Sequence, residues 1–138
     1  MKHLTPTEAY DFLRGHPQAL FIDCRSDAEY FLVGHALVPR ETGEPLRPVN
    51  VCWADELRAE LNPNFVGEVD TLARDRARPV VLICRSGRRS VLAGQALEAA
   101  GYTQVTNVLH GFEGDLDERD RRGLLNGWRR DGLPWEQL

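Results

Sequence analysis

The segment Cys84-Arg85-Ser86-Gly87-Arg88-Arg89-Ser90 places a thiol beside three guanidinium groups, two hydroxyls and a glycine. A cysteine attacks as its thiolate, and cationic neighbours or a helix N-terminus lower its pKa from a free value of about 8.5. The residue types therefore predict nucleophilic chemistry by Cys84 on an anionic substrate. Arg85, Arg88 and Arg89 supply charge to bind that anion, with Arg85 and Arg89 expected to face inward more than Arg88. Ser86 and Ser90 can donate hydroxyl hydrogen bonds, and Gly87 can take the positive φ that a tight loop demands. The competing readings are a buried structural cysteine and a solvated basic face. What favours chemistry is the order of elements around the segment.

An apolar strand over Val80–Cys84, introduced by Pro79, leads into the segment, and a helix from about Arg89 to Ala100 leaves it and stops at Gly101. In an open parallel sheet, ligands bind at the carboxyl ends of strands. Amides turning from such a strand into a helix form an anion-binding nest, to which the helix dipole adds partial positive charge. A reactive Cys84 thus requires inward-facing amides and a sulfur that a donor can reach.

The rest of the chain supplies similar units. Thr5, Pro6 and Glu8 form a capping box with proline at the first helical position, and Gly15 ends that helix. Leu20–Cys24 and Gln104–Leu109 read as buried strands, and Val49–Trp53 as a weaker one. Asn62 and Pro63 open a helix running to about Ala73. Ser26–Tyr30 reads as a helical turn, and Gly34–Pro48, with three prolines, as an irregular loop. The tail from Gly111 reads as short helical pieces anchored by Trp128, Leu133 and Trp135. Strands separated by helices predict an α/β class: a mainly parallel sheet of about five strands with helices on both faces, forming a single domain over 1–138.

These motifs resemble the rhodanese domain, a family of sulfurtransferases. CRSGRRS is similar to its single-domain active-site loop, in which cysteine, four residues, arginine and then serine or threonine follow a buried strand. LFIDCRSDAEYFLVGH (20–35) is similar to the family's first signature through Asp23, Arg25, Glu29, Gly34 and His35. NVLHGF (107–112) and GWRRDGLPW (127–135) resemble later turns of bacterial members. The connection ALVPRETGEPLRPVNV is longer than the family's usual turn, and Phe112 stands where a second glycine is common.

The resemblance implies a double displacement. Cys84 would take a sulfane sulfur from thiosulfate or another small anionic donor, hold it as a persulfide, and pass it to cyanide, a thiol or a protein cysteine. No metal or organic cofactor is implied. Asp23, Arg25 and Glu29 are expected to support the loop, with Arg25 paired to Glu29, and His35 to stabilise a turn rather than act as a base. Cysteine phosphatases and arsenate reductases of related architecture need five residues between cysteine and arginine. Here that position is Ser90, so the shorter ring favours sulfur over a phosphate. A phosphatase would also need a general acid, for which Asp115 and Asp117 are candidates by position only. A protein-interaction or sulfur-carrier module is the remaining alternative.

Composition narrows the partners. Seventeen basic against twenty-one acidic residues give a net charge of −4, which disfavours nucleic acid and anionic lipid. No apolar run approaches the roughly 20 residues of a membrane span, and the first residues lack the apolar stretch of a secretory signal, so a cytoplasmic protein is expected. Three cysteines without a Cys-x-x-Cys pair predict reduced thiols, with Cys24 and Cys52 as small core residues; Cys24, at a strand end, could also approach Cys84.

Overall fold

The computed structural model describes residues 1–138. Its elements in chain order are β1 (Lys2–Leu4), α1 (Pro6–Gly15), β2 (Leu20–Asp23), a π-helical turn (Glu29–Val33), β3 (His35–Ala36) and β4 (Val49–Asn50). There follow β5 (Ala54–Asp55), β6 (Glu60–Leu61), α2 (Phe65–Ala73), β7 (Val80–Ile83), α3 (Arg88–Ala99), β8 (Val105–Val108) and β9 (Trp135–Glu136). A five-stranded sheet in the order β1-β8-β7-β2-β4 carries the fold, and all its pairings are parallel.

β2 and β7 are fully buried, which explains why they read as continuous apolar runs rather than alternating ones. Side-chain alternation sends Ile22, Val80 and Leu82 toward Phe65 and Val69 of α2 and Leu97 of α3. Phe21, Val81 and Ile83 go to the other face, against Ala9 and Leu13 of α1 and against Phe112 and Trp128. Helices thus cover both faces, as an α/β sheet requires. α1 starts at the predicted capping box: the Glu8 amide donates to Thr5 Oγ1 at 3.2 Å, and the Thr5 amide to the Glu8 carboxylate at 2.9 Å.

Three expectations need correction, and one strand is unforeseen. β1 gives no apolar signal because Lys2 and His3 are exposed; pairing with Thr106–Val108 makes it a strand. Regular β4 covers only Val49–Asn50, although the Val51 and Trp53 amides continue to bond Asp23 and Cys24 carbonyls at 3.0 Å. The 34–48 connection is not wholly irregular: β3 pairs antiparallel with β9, and Val38 bridges Leu46. The tail is turns closed by β9 rather than helical pieces. Trp128 is its buried anchor, donating from Nε1 to the Pro134 carbonyl at 2.7 Å, whereas Trp135 is 40% exposed.

Candidate active site

β2 and β7 run in register, Asp23 opposite Ile83, and the Cys24 amide extends the ladder to the Ile83 carbonyl at 2.9 Å. Cys24 and Cys84 therefore leave adjacent strand ends side by side and point to the same face of the sheet. After Cys84 the chain turns through Gly87, whose φ of 100° lies in the left-handed region, and enters α3 at Arg88. That turn folds the loop back over the sulfur. The Gly87 amide donates to Cys84 Sγ at 3.1 Å and the Ser90 amide at 3.3 Å, with Ser90 Oγ at 3.2 Å.

The electrostatic result is a balance of opposed effects. Burial raises the Cys84 pKa, while the Cys24 thiol, the Ser90 hydroxyl and the Ser90 and Gly87 amides stabilise the anion and bring it down to about 6. Cys24 moves the other way, since burial and its bond to Cys84 both hold it as the thiol. The Ile83 carbonyl, 3.3 Å from Cys24 Sγ, is the alternative acceptor for that single thiol hydrogen, which serves the carbonyl or the Cys84 thiolate and not both. Ser90 Oγ lies 2.5 Å from Asn107 Oδ1, and Asn107 Nδ2 lies 3.2 Å from His3 Nδ1. One hydroxyl hydrogen cannot serve both Asn107 Oδ1 and the sulfur. The opposite amide orientation would let Asn107 donate to Ser90 and free that hydrogen for the thiolate.

The supporting ion pairs differ from the sequence expectation. Arg25 does not pair with Glu29. Alternation along the strand end puts Arg25 on the same face as Asp23, and the two fully buried side chains bond at 2.7 and 2.9 Å. Arg25 also donates to the Gly34 carbonyl at 2.6 Å, leaving Nη1 as its one nitrogen without an acceptor, and its guanidinium lies 4.6 Å from the centre of the Phe112 ring in a favourable cation–π contact. Glu29 instead takes Arg89 in a fork at 2.7 and 2.8 Å, and also accepts from the Ser26 hydroxyl at 3.1 Å. His35 bonds the Tyr30 carbonyl and Glu136 and stacks on Tyr30, holding the turn away from Cys84.

The three arginines take three different positions. Arg89 is 4% exposed and committed within the chain: besides Glu29 it reaches the Ala54 carbonyl at 3.3 Å and Glu56 at 3.3 Å. This corrects its expected role as a free anion-binding group. Arg85 donates to the Glu56 carboxylate at 2.8 Å, and Arg88 is exposed. Ser86, Arg85, Arg88 and Arg89 line a cavity of about 440 Å³ whose opposite wall is the β5–β6 hairpin with Trp53, Glu56 and Leu61. Ser86 thus faces the cavity and makes no bond to the sulfur. Cys84 itself is 1% exposed and does not line that cavity. Of the two requirements for a reactive sulfur, the inward amides are met, and direct exposure is not.

Sequence reasoning missed Asn107, Glu56 and Gly111. A polar residue inside the apolar VTNVL run was a usable signal for Asn107. Nothing local marks Glu56, which reaches the site through the hairpin. Gly111 lies under the loop: its carbonyl-proximal position is set by the Phe112 amide bonding the Cys84 carbonyl at 2.7 Å and the Glu113 amide bonding the Arg85 carbonyl at 2.9 Å.

A family model for the rhodanese-like domain matches residues 5–118, a span that includes β2, β7, the Cys84 loop and α3. The chain belongs to that family. This rhodanese-like domain is similar to the crystal structure of Rv0390 from M. tuberculosis, with 39% identity and a TM-score of 0.82 over 100% of this chain and 98% of the other. It is 26% identical over 137 residues to the Rickettsia conorii protein RC0915, covering 99% and 98% of the two chains. The polysulfide-sulfur transferase homodimer from Wolinella succinogenes, at 20% identity and a TM-score of 0.63 over 100% of this chain and 80% of that one, shares the fold. No helix of the rhodanese-like domain is long and apolar enough to cross a membrane.

Proposed function

We propose that the protein is a sulfurtransferase that carries a sulfane sulfur on Cys84. The observation that supports this best is the convergence of the Gly87 and Ser90 amides on Cys84 Sγ, which stabilises a thiolate near neutral pH. In the first half-reaction the thiolate attacks the outer sulfur of thiosulfate or a related donor. A bond forms between the two sulfurs, the donor's own sulfur–sulfur bond breaks, and sulfite leaves with the electron pair. In the second, a thiolate or cyanide attacks the outer sulfur of the persulfide and Cys84 leaves as the thiolate. The amides that bind the resting anion bind the leaving thiolate again, so charge is stabilised without reorganisation. Arg85 and Arg88 are the guanidinium groups that meet the donor at the cavity, Ser86 lines its path, and Arg89 with Glu29 positions the loop. Asp23 and Arg25 brace the strand end beneath it.

Mass spectrometry after thiosulfate treatment tests the first step: Cys84 gains one sulfur, and Cys84→Ser gains none. Cyanolysis tests turnover, with thiocyanate formed by the wild type and lost in Cys84→Ser. Thiocyanate formed equally by the variant would overturn the mechanism. The 1% exposure of Cys84 favours one second reading, a module that binds a partner without turning over sulfur. That reading predicts neither added sulfur nor thiocyanate.

A further inference from the structure

The mouth of the site already contains an anion that belongs to the chain. Glu56, on the turn between β5 and β6, accepts from Arg85 Nη2 at 2.8 Å with one carboxylate oxygen and faces Arg89 Nε at 3.3 Å with the other. Arg89 is further neutralised by Glu29. The two guanidinium groups that the sequence marks as anion binders are therefore matched by two carboxylates before any donor arrives. Arg85 Nε is buried with no acceptor among the protein groups, so the arginine keeps one donor that Glu56 does not satisfy. The other two arginines of the cavity, exposed Arg88 and half-buried Arg122, which donates to the Gly114 carbonyl at 2.8 Å, pair with no carboxylate.

We propose that Glu56 is the specificity-determining residue of this mouth, a built-in competitor for the anionic end of a sulfur donor. An anion reaching for Arg85 must displace the Glu56 carboxylate or endure its repulsion at close range. A neutral reagent of similar size meets neither cost. Displacing Glu56 also frees the hairpin wall that faces Arg85 and Ser86, the two residues that follow Cys84 in the loop. The site thus discriminates against small free anions in favour of donors whose sulfane-bearing end is neutral. This inference deepens the sulfurtransferase reading as to donor class, but its direct test needs only that Cys84 be alkylated.

The experiment compares Cys84 alkylation by iodoacetate, an anion, and iodoacetamide, its neutral counterpart, in wild type, Glu56→Gln and Glu60→Gln. In both reagents the Cys84 sulfur displaces iodide, so only charge differs between the arms. The iodoacetate-to-iodoacetamide rate ratio should rise about tenfold in Glu56→Gln, the size of effect expected for removing one close like charge. Glu60→Gln makes the same charge change at the same cavity without touching an arginine, and its ratio should move less than twofold. An unchanged ratio in Glu56→Gln, or an equal rise in both variants, would overturn the assignment. In the same variants the KM for thiosulfate should fall in Glu56→Gln. Absence of persulfide in every protein would sink the sulfurtransferase reading while leaving the alkylation ratio to decide the role of Glu56.

Discussion

A thiol with a pKa of about 6 leaves roughly ten thiolates for each thiol at pH 7, where an ordinary cysteine is mostly protonated. The sign is simple: reactivity rises as pH increases through the Cys84 pKa and levels off above it. Iodoacetamide labelling followed by mass spectrometry should give a half-maximal Cys84 rate near pH 6, with Cys24 unlabelled throughout because burial keeps it a thiol. Replacing a donor weakens the anion, so Cys24→Ala and Ser90→Ala should each shift that midpoint toward the ordinary thiol value. A midpoint unmoved in both would show that the loop amides alone hold the charge. The buried Asp23–Arg25 pair belongs to stability instead. Asp23→Asn strands a guanidinium that is fully buried, and should cost about 3–5 kcal/mol by urea denaturation.

Elements decide whether those side chains meet at all. β7, the loop and α3 are legible from sequence because a buried parallel strand and a glycine-terminated helix each leave a strong local pattern. The partners of the loop are less so. Asp23, Arg25 and Glu29 are all visible as candidates, yet which carboxylate takes Arg25 and which takes Arg89 depends on the face to which each side chain turns: alternation puts Arg25 beside Asp23 and leaves Glu29 to Arg89. The support from Gly111 is a matter of close approach: with φ at 63°, a Cβ there would collide with the Cys84 carbonyl oxygen and come within 2.6–2.7 Å of the Arg85 carbonyl group. The backbone must move, and it is the backbone that holds the sulfur-cradling turn. Gly111→Ala should therefore lower the Cys84 alkylation rate at pH 7 at least tenfold, an effect that a change confined to the distant tail would not produce. Labelling kinetics on the folded variant, with circular dichroism as the check on folding, reads this directly.

At the scale of the whole molecule, the two faces of the sheet separate chemistry from packing. Cys24 and Cys84 lie with the core formed by α2 and α3, while Trp128 packs with α1, Phe21 and Phe112 on the opposite face. This division explains why the tail carries the weakest sequence signal. It has neither helical nor strand periodicity, and its order comes from one indole inserted against residues more than a hundred positions away, with β9 closing on β3. Sequence marks Trp128 as an anchor but cannot tell it from Trp135, since composition is the same and only tertiary packing differs. Trp128→Ala should remove a completely buried ring and the bond to the Pro134 carbonyl, destabilising the fold by about 3–5 kcal/mol in urea denaturation. Trp135→Ala, at a half-exposed ring, should cost clearly less. Because the sheet lies between Trp128 and the sulfur, the pH midpoint of Cys84 labelling in the folded Trp128→Ala protein should stay near 6. A large shift would mean that the two faces are coupled through the Phe112 turn, whose amide bonds the Cys84 carbonyl, rather than insulated by the strands between them.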